Sequence, residues 1–487
     1  MNTSPTKRGR LLAILLTMLF MYQADATIVN VATPSIRADF SASGAALELV
    51  IDGYLLASAT LLITGARLGY MFGYRRVFLI GVGVFGAASL ACGLAPDPVV
   101  LVVVRVIQGV GGALAFPQVL TALQLHFEEG PQRTRALSFY SIALAGGAVA
   151  GQILGGLLVS ADVLGLQWRP IFLVNVPITV AVVVAGLRIL PADGPVDSSK
   201  RLDLPGAAIL SAAVLAIVLP LALGREAGWP AWTWACLAAS MPMFAAFVVT
   251  EQRRRSRSPL INLHVIRRPA IAWGLWPQAL AGSTYYALLF TLALYLQHGL
   301  GRSALVSGLT LVPWVAAFAI PGRLLGFVPA RARPLLPVIG CAVLAAAYGS
   351  ISASMLTGEH PEALLLGLLA LGGVGLGTNF SSILVHLTAS ATPRYAADIS
   401  GVFSTSLQIA GAIGVAAFGT LYLSQTTHPG SVAASHGFGV VTAAFAFVAL
   451  IAAATAYRAT RQPTQPPQPP TAGRIRPVTS PKPIRVP

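Results

Sequence analysis

Long apolar stretches alternate with short polar ones along most of the 487-residue chain. Fourteen of these stretches are close to the roughly 20 residues that an α-helix needs to cross a bilayer. Because backbone polar groups in lipid must bond within their own segment, each stretch predicts a transmembrane helix. The predicted spans are 11–32, 47–67, 77–95, 99–122, 137–158, 171–189, 204–223, 231–249, 270–297, 303–327, 335–356, 363–386, 399–423 and 438–457.

The first apolar stretch begins like a cleavable signal peptide, since basic residues precede it and the small residues Ala-Asp-Ala follow its core. Its apolar character resumes at Thr27 and continues to Val31, which gives the stretch spanning length. We therefore expect it to be retained as the first helix of an all-α membrane protein.

The composition favours a multi-pass membrane protein over a soluble one. The chain is 55% hydrophobic and only 10% charged, whereas about a quarter of the residues of a soluble domain are charged. Cys92, Cys236 and Cys341 all fall in apolar stretches, so neither a disulfide framework nor a metal site is expected.

The net charge of +16 comes from basic residues in the polar connections. With an even number of spans, the side that holds both termini carries 27 of the 32 Lys and Arg residues, and the other side carries four. The remaining one, Arg105, lies inside the fourth span. Since basic connections stay in the cytoplasm, both termini are predicted to be cytoplasmic, in the plasma membrane. The charge gives no reason to expect a nucleic-acid partner.

A glycine motif recurs in the fourth and twelfth spans. "GVGGALAF" begins at Gly109 and "GVGLGTNF" at Gly373, so both read G-V-G, four residues, then Phe. Their positions predict two repeated six-helix halves, 1–190 and 256–460, which is a transporter architecture. A linker and two inserted helices occupy 191–255. The tail, 461–487, is proline-rich and basic and is expected to be disordered.

Three charged residues are expected at one depth in the membrane. At a rise of about 1.5 Å per residue, Asp25, Asp52 and Arg105 fall in one layer, nearer the outer surface. A guanidinium beside a carboxylate favours its ionised form, while desolvation and a second carboxylate favour the protonated form. The three residues are candidates for proton coupling; the alternative is a static ion pair that holds helices together.

Glycine, aromatic and amide residues provide two further candidate features. The glycines of "GGAVAGQILGG", at positions 147, 151, 155 and 156, make a face that another helix approaches closely, either as tight packing or as a sliding surface. Periodicity does not distinguish side chains that line a cavity for an amphiphile from side chains that face lipid. The candidates for the cavity are Gln118, Gln152, Tyr285, Tyr286, Phe290 and Trp314.

Together these stretches resemble the fourteen-helix drug:proton antiporter family of the major facilitator superfamily. The similarity is carried by "DATIVNVATPSI" from Asp25, "RVIQGVGGALAFP" from Arg105 and "GGAVAGQILGG" from Gly146, and further matching segments follow up to about residue 460. The resemblance implies a major-facilitator fold of 14 transmembrane helices. It also implies a proton-transfer role for Arg105 and a conformational role for Gly147, Gly151, Gly155 and Gly156.

The segment "GARLGYMFGYRR" resembles the family's loop between the second and third helices, with one departure. In the family, an aspartate at the position of Tyr70 helps to latch the cytoplasmic gate against a neighbouring helix end. The latch is here expected to rest on two arginines and uncharged contacts. The residues of this gate loop are Gly69, Tyr70, Gly73, Arg75 and Arg76.

The leading hypothesis is export of an amphiphilic drug or antibiotic-like compound by a monomer, driven by the proton gradient without a cofactor. ATP-driven transport is excluded, because Lys7, Lys200 and Lys482 are the only lysines and none lies in a phosphate-binding P-loop. Scattered histidines argue against a membrane enzyme. The alternatives are export of a specific metabolite, lipid or siderophore, and a non-transporting membrane sensor or scaffold.

Overall fold

The computed structural model describes residues 5–42, 44–128, 130–162, 165–193, 203–224, 228–253, 263–329, 331–358, 362–390, 395–426 and 431–462. Within these ranges the chain is almost entirely helical, and no strand is present. The predicted disordered tail lies outside the described residues from position 463 onward.

Seventeen α-helices follow one another in the described ranges. The first seven are α1 (Pro5–Phe40), α2 (Gly44–Phe72), α3 (Tyr74–Gly93), α4 (Pro98–His126), α5 (Pro131–Ser160), α6 (Pro170–Leu173) and α7 (Asn175–Ile189). Next come α8 (Leu204–Leu223), α9 (Ala231–Arg253) and the short α10 (Leu263–Ile266). The last seven are α11 (Pro269–Leu294), α12 (Ala304–Thr310), α13 (Val312–Leu324), α14 (Leu336–Thr357), α15 (Glu362–Ala389), α16 (Ala396–Gln425) and α17 (Ser431–Thr460).

The helices confirm the all-α membrane fold predicted from the apolar stretches. Thirteen helical spans in the described part of the chain are long and apolar enough to cross a membrane. The seventh predicted span appears as a shorter apolar stretch, Pro205–Leu221 of α8. The sixth and tenth spans are interrupted, at Val174 and at Leu311. A proline follows each break within three residues and cannot donate a backbone hydrogen bond to the preceding turn.

The same helix pairings occur twice along the chain. Helix α4 packs against α2 and α3, and α1 packs against α5; in the same way α15 packs against α13 and α14, and α11 packs against α16. Helix α3 also contacts α7, as α14 contacts α17. Two related six-helix bundles produce this kind of repetition.

The repeated glycine motif makes equivalent contacts in α4 and α15. A Cβ on Gly109 would collide with the carbonyl oxygen of Tyr54 on α2, and a Cβ on Gly373 with the carbonyl oxygen of Trp314 on α13. The second glycine of each motif faces α3 or α14 in the same way. Only a residue without a side chain fits such close backbone contacts, so the shared motif reflects shared packing.

The two halves meet along two seams. Helix α2 packs against α16, and α5 packs against α12, α13 and α15. The inserted helices α8 and α9 pack against each other, and α8 also lies against α2 and α16. Leu210 and Val214 of α8 share an apolar cluster with Leu56 and Ile63 of α2. The inserted pair therefore covers the α2–α16 seam on its outer side.

The glycine stripe of α5 brings this helix against α1, which carries Asp25. A Cβ on three of the glycines would meet a carbonyl oxygen of α1: Gly147 at Phe20, Gly151 at Ala24 and Gly155 at Ile28. Thr27 strengthens the contact, because its Oγ1 donates to the Ala148 carbonyl oxygen at 2.6 Å. Gly156 faces the other half instead, where Leu305 of α12 lies 3.7 Å from its Cβ position.

We expect Gly151→Ala to destabilise the protein more than Gly156→Ala. The added methyl group at position 151 has no space unless α1 and α5 separate, and overpacking of this kind costs about 1–3 kcal/mol. At position 156 the methyl group makes an ordinary van der Waals contact. Thermal unfolding of both purified variants in detergent measures the difference, and equal midpoints would contradict the described contact.

Candidate functional site

Asp25 of α1 and Arg105 of α4 form an ion pair inside the first half. Arg105 Nη1 donates to Asp25 Oδ2 at 2.5 Å, and both side chains are 0% exposed. The two groups that the sequence placed at one depth are thus in direct contact. Removing one partner of a buried pair costs about 3–5 kcal/mol, because the other charge is left uncompensated.

Two side-chain amides complete the surroundings of Asp25. Its Oδ1 accepts from Gln108 Nε2 at 2.9 Å and from Asn175 Nδ2 at 2.8 Å. The carboxylate therefore receives three N–H donors, two on one oxygen and one on the other. Hydrogen bonds to an ionised acceptor are about twice as strong as those between neutral groups, so this arrangement stabilises the negative charge away from water.

Arg105 is fixed by acceptor oxygens and aromatic rings on several helices. Its Nη1 also donates to Gln108 Oε1 at 2.7 Å, and its Nε donates to the Val50 carbonyl oxygen at 3.0 Å. The guanidinium carbon lies 4.3 Å from the centre of the Tyr54 ring and 5.5 Å from that of Phe172. A cation over an aromatic face is stabilised by the ring quadrupole, so the rings help to compensate the buried cation.

Asp52 lies half-buried on α2, two residues beyond Val50. The hydrogen bonds of Arg105 go to Asp25, Gln108 and Val50, so the role of Asp52 as a competing acid stays a prediction. Within the described residues, no group of three or more His, Cys, Asp or Glu side chains is arranged to hold a metal ion.

The sequence analysis missed the uncharged members of this cluster. Gln108 lies three residues after Arg105 and joins it to α3, because its Nε2 also donates to Ser89 Oγ at 2.8 Å. Asn175 comes from α7, about 150 residues away from Asp25 along the chain. The signal for both was an amide side chain inside an apolar stretch.

Aromatic and amide side chains also meet where the two halves face each other. Gln23 Nε2 donates to the Tyr286 hydroxyl at 3.3 Å, and Gln408 Nε2 donates to the Tyr22 hydroxyl at 3.2 Å. The hydroxyl of Tyr285 donates to a carbonyl oxygen of α5 at 3.2 Å. All of these groups are uncharged, and each hydrogen bond joins one half to the other.

The predicted cavity residues do not all lie at this interface. Tyr285 and Tyr286 belong to it, and Gln152 lies near Gly308 of α12, also between the halves. Trp314 is fully buried within the second half, where its ring stacks on Tyr285, with the centroids 6.5 Å apart. Its Nε1 has no hydrogen-bond partner among the described residues.

Gln118, one of the predicted cavity residues, packs between two helices of the first half. Gln118 lies between α2 and α4, because its Nε2 donates to the Gly65 carbonyl oxygen at 2.8 Å. Its amide also fills the space beside Gly69 of the gate loop. Phe290 lies half-buried on α11, and its place in a cavity stays a prediction.

The gate loop is bound by an acid that the sequence analysis did not anticipate. Asp193, which follows α7, accepts hydrogen bonds from the backbone N–H groups of Arg75 and Arg76, each at 3.0 Å. It thereby caps the N-terminus of α3, where Gly73 has a φ of +97°. The sequence analysis expected only arginines and uncharged contacts here and did not include this carboxylate; the role of the loop as a gate latch stays a prediction. Tyr70 packs under Arg67, whose guanidinium lies 4.8 Å from the ring centre.

The halves also contact each other towards both ends of the bundle. Near the end where α1 begins, Ser138 Oγ donates to the Gly322 carbonyl oxygen and Ser400 Oγ to the Pro117 carbonyl oxygen, each at 2.6 Å. Near the other end, a glycine of α12 faces α5. The central aromatic and amide groups are therefore enclosed by contacts on both sides.

Comparison with known proteins places this geometry in a family. The family model described as Major Facilitator Superfamily matches residues 15–415. A cephamycin export protein, CmcT, of Amycolatopsis lactamdurans is 36% identical over 458 residues, which cover 90% of this chain and 90% of that protein. A probable actinorhodin transporter of Streptomyces coelicolor is 33% identical over 424 residues, which cover 85% of this chain and 72% of that protein.

The same fold occurs in a solved structure at low sequence identity. The proton:xylose symporter XylE, solved with a bound bromo-deoxyglucose, superimposes with a TM-score of 0.61 at 14% identity. The match covers 90% of this chain and 94% of that one. The helix pairings, the family match and the relatives agree, and the chain belongs to the Major Facilitator Superfamily of membrane transporters.

Proposed function

We propose that this protein is a proton-coupled antiporter that exports an amphiphilic, antibiotic-like compound across the plasma membrane. The observation that carries the proposal is the Asp25–Arg105 pair, in which both side chains are fully buried. The relatives named for cephamycin export and actinorhodin transport support a compound of the antibiotic class.

The proton is exchanged at Asp25. When the outer side opens, water reaches the carboxylate, and protonation removes its charge and weakens its bond to Arg105. When the cytoplasmic side opens, the proton leaves and the pair forms again. Because protonation and cargo binding favour different arrangements of the halves, proton entry is coupled to cargo exit. The protein needs no cofactor for this cycle beyond the proton gradient.

A chain of contacts joins the ion pair to the interface between the halves. The Tyr54 ring covers Arg105, and the Tyr54 hydroxyl donates to the Tyr22 carbonyl oxygen at 3.0 Å. The hydroxyl of Tyr22 in turn accepts from Gln408 of the second half. Rearrangement of Arg105 upon protonation of Asp25 therefore reaches the surface along which the two halves move.

The cargo binds at the aromatic and amide groups between the halves. Tyr285 and Tyr286 present ring faces to an apolar compound, and Gln23 and Gln408 supply donors and acceptors for its polar groups. Gln152 and Phe290 extend this lining. Sites for small molecules combine apolar walls with a few polar groups in this manner, and the uncharged lining fits an amphiphile better than a strongly charged solute.

The bundles 1–190 and 256–460 rock against each other around this site, and the inserted segment 191–255 covers one seam. The side that carries most of the basic residues is the cytoplasmic side, so both termini lie there. The gate loop of Gly69, Tyr70 and Gly73 lies at the same side, where Asp193 holds the start of α3. A single copy of the chain contains every group that this mechanism uses.

We expect Asp25→Asn to abolish gradient-driven efflux while membrane insertion is retained, since the amide keeps the shape but cannot exchange a proton. The cargo for the assay comes from a resistance screen in a pump-deficient host. Efflux is then measured in proteoliposomes with and without an imposed pH gradient. Asp97→Asn is the matched control, because Asp97 caps α4 with its side chain and asparagine caps equally well. Full efflux by Asp25→Asn would refute the proton role.

We expect Asp193→Ala to lower the thermal unfolding midpoint, because α3 loses the carboxylate that caps its first turn. Loss of a cap costs about 0.5–2 kcal/mol. Asp193→Asn, which keeps an acceptor but loses the charge, is expected to fall between the wild type and the alanine variant. Unfolding in detergent gives the three midpoints, and an alanine variant as stable as the wild type would contradict the capping role.

A further inference from the structure

Asn175 is a donor to Asp25 that the family resemblance does not single out. Its Nδ2 lies 2.8 Å from Asp25 Oδ1. It is the first residue of α7 and is only 5% exposed. The contact therefore joins the proton-exchanging acid to the last helix of the first half.

Both oxygens of Asp25 face N–H groups. Oδ2 accepts from Arg105, and Oδ1 accepts from Gln108 and Asn175. A carboxylate can accept all three bonds, whereas a protonated carboxyl group must itself donate one. The two bonds to Oδ1 occupy both of its lone pairs, so a proton binds to Oδ1 only when Gln108 or Asn175 withdraws or presents an acceptor instead of a donor.

Among the three partners, Asn175 is the one whose side chain can make that change at least cost. A guanidinium has no acceptor atom. Gln108 is held at both ends of its amide, because its Oε1 accepts from Arg105 and its Nε2 also donates to Ser89. The Asn175 amide forms one side-chain hydrogen bond among the described residues, to Asp25. Half a turn about χ2 of Asn175 brings the amide oxygen, an acceptor, opposite the hydroxyl of protonated Asp25.

The backbone at Asn175 is suited to such a change. The helix is interrupted at Val174, immediately before this residue. Pro177 has no N–H group, so it cannot donate to the carbonyl oxygen of Leu173 across the break. A helix that lacks this hydrogen bond shifts more readily than a continuous one, so reorientation of the amide can be passed on to α7.

We propose that Asn175 is a positioning residue for proton exchange: its amide donates to the Asp25 carboxylate and, once turned, accepts from the Asp25 carboxyl group. This inference rests on the proposed function. It adds that a change in the protonation state of Asp25 changes a hydrogen bond made by α7. Asn175 acts through Asp25 and exchanges no proton itself.

The charged and titratable groups around this cluster come from four helices. They are Asp25 and Tyr22 of α1, Tyr54 of α2, Cys92 of α3 and Arg105 of α4. Half-buried Asp52 also belongs to α2, two residues before Tyr54. Loss of the Asn175 amide leaves these groups in place and removes a bond from both forms of Asp25. Because a hydrogen bond to an ionised acceptor is about twice as strong as one between neutral groups, the carboxylate loses more than the acid. The acid form then persists to higher pH.

The test is an infrared titration of the Asp25 carboxyl group in the full-length protein in lipid nanodiscs. Protons are the probe, and the Asp25 band is identified by its absence from Asp25→Asn. In Asn175→Leu the titration midpoint is expected to lie about 1 pH unit higher, which corresponds to the difference between a lost hydrogen bond to a charged group and a lost one between neutral groups. Asn379→Leu is the matched control, a buried asparagine of α15 that bonds to the Pro277 carbonyl oxygen; its midpoint is expected to stay at the wild-type value.

Asn175→Ala serves as the second variant, because its smaller side chain is accommodated even where leucine prevents folding. It also lacks the amide, so the Asp25 midpoint is again expected to rise. An unchanged midpoint in the folded Asn175 variants overturns the inference, even where transport is slower. Absence of gradient-dependent efflux in the wild type overturns the proposed function instead, and the infrared midpoints distinguish the two failures.

Discussion

The arrangement of the first half depends on the compensation of two buried charges. Moving a carboxylate and a guanidinium out of water costs several kcal/mol per ion, and their mutual attraction offsets this only with good geometry and further hydrogen bonds. The further bonds come from Val50 on α2, Gln108 on α4 and Asn175 on α7, with Ser89 of α3 fixing Gln108. One ion pair thereby sets the relative positions of five helices.

The second half uses the same scaffold without this chemistry. Gly109 and Gly373 make equivalent backbone contacts in α4 and α15, so the packing repeats. Four residues before each glycine the halves differ: Arg105 in the first and the fully buried Leu369 in the second. A shared packing motif thus leaves one half to carry charge and the other to present aromatic and small polar surfaces. In the proposed mechanism, the hydrogen bond between Tyr22 and Gln408 couples the two halves across the interface.

The sequence predicted the features that depend on composition along one helix. The lengths of the apolar stretches predicted the transmembrane spans, and the helical rise per residue predicted that Asp25 and Arg105 lie at one depth. Features that depend on helix rotation or on distant segments were not predicted. Gln118 points towards Gly65 on α2. The helix is apolar on all sides, so its sequence does not predict which neighbour this side chain faces. Asp193 reaches α3 from the connection after α7, and no local pattern marks it as a cap.

A proton-exchanging pair must be held firmly enough to stay in place and weakly enough to open. Net stabilisation by a buried ion pair is small, because desolvation nearly cancels attraction, so a modest change in hydration is sufficient to shift the balance. Neutral amides suit this requirement better than a second cation would. Each amide adds a bond to the carboxylate, and an amide that turns also provides a bond to the acid. In the proposed mechanism, the surroundings of Asp25 therefore favour exchange of the proton over permanent retention of either state.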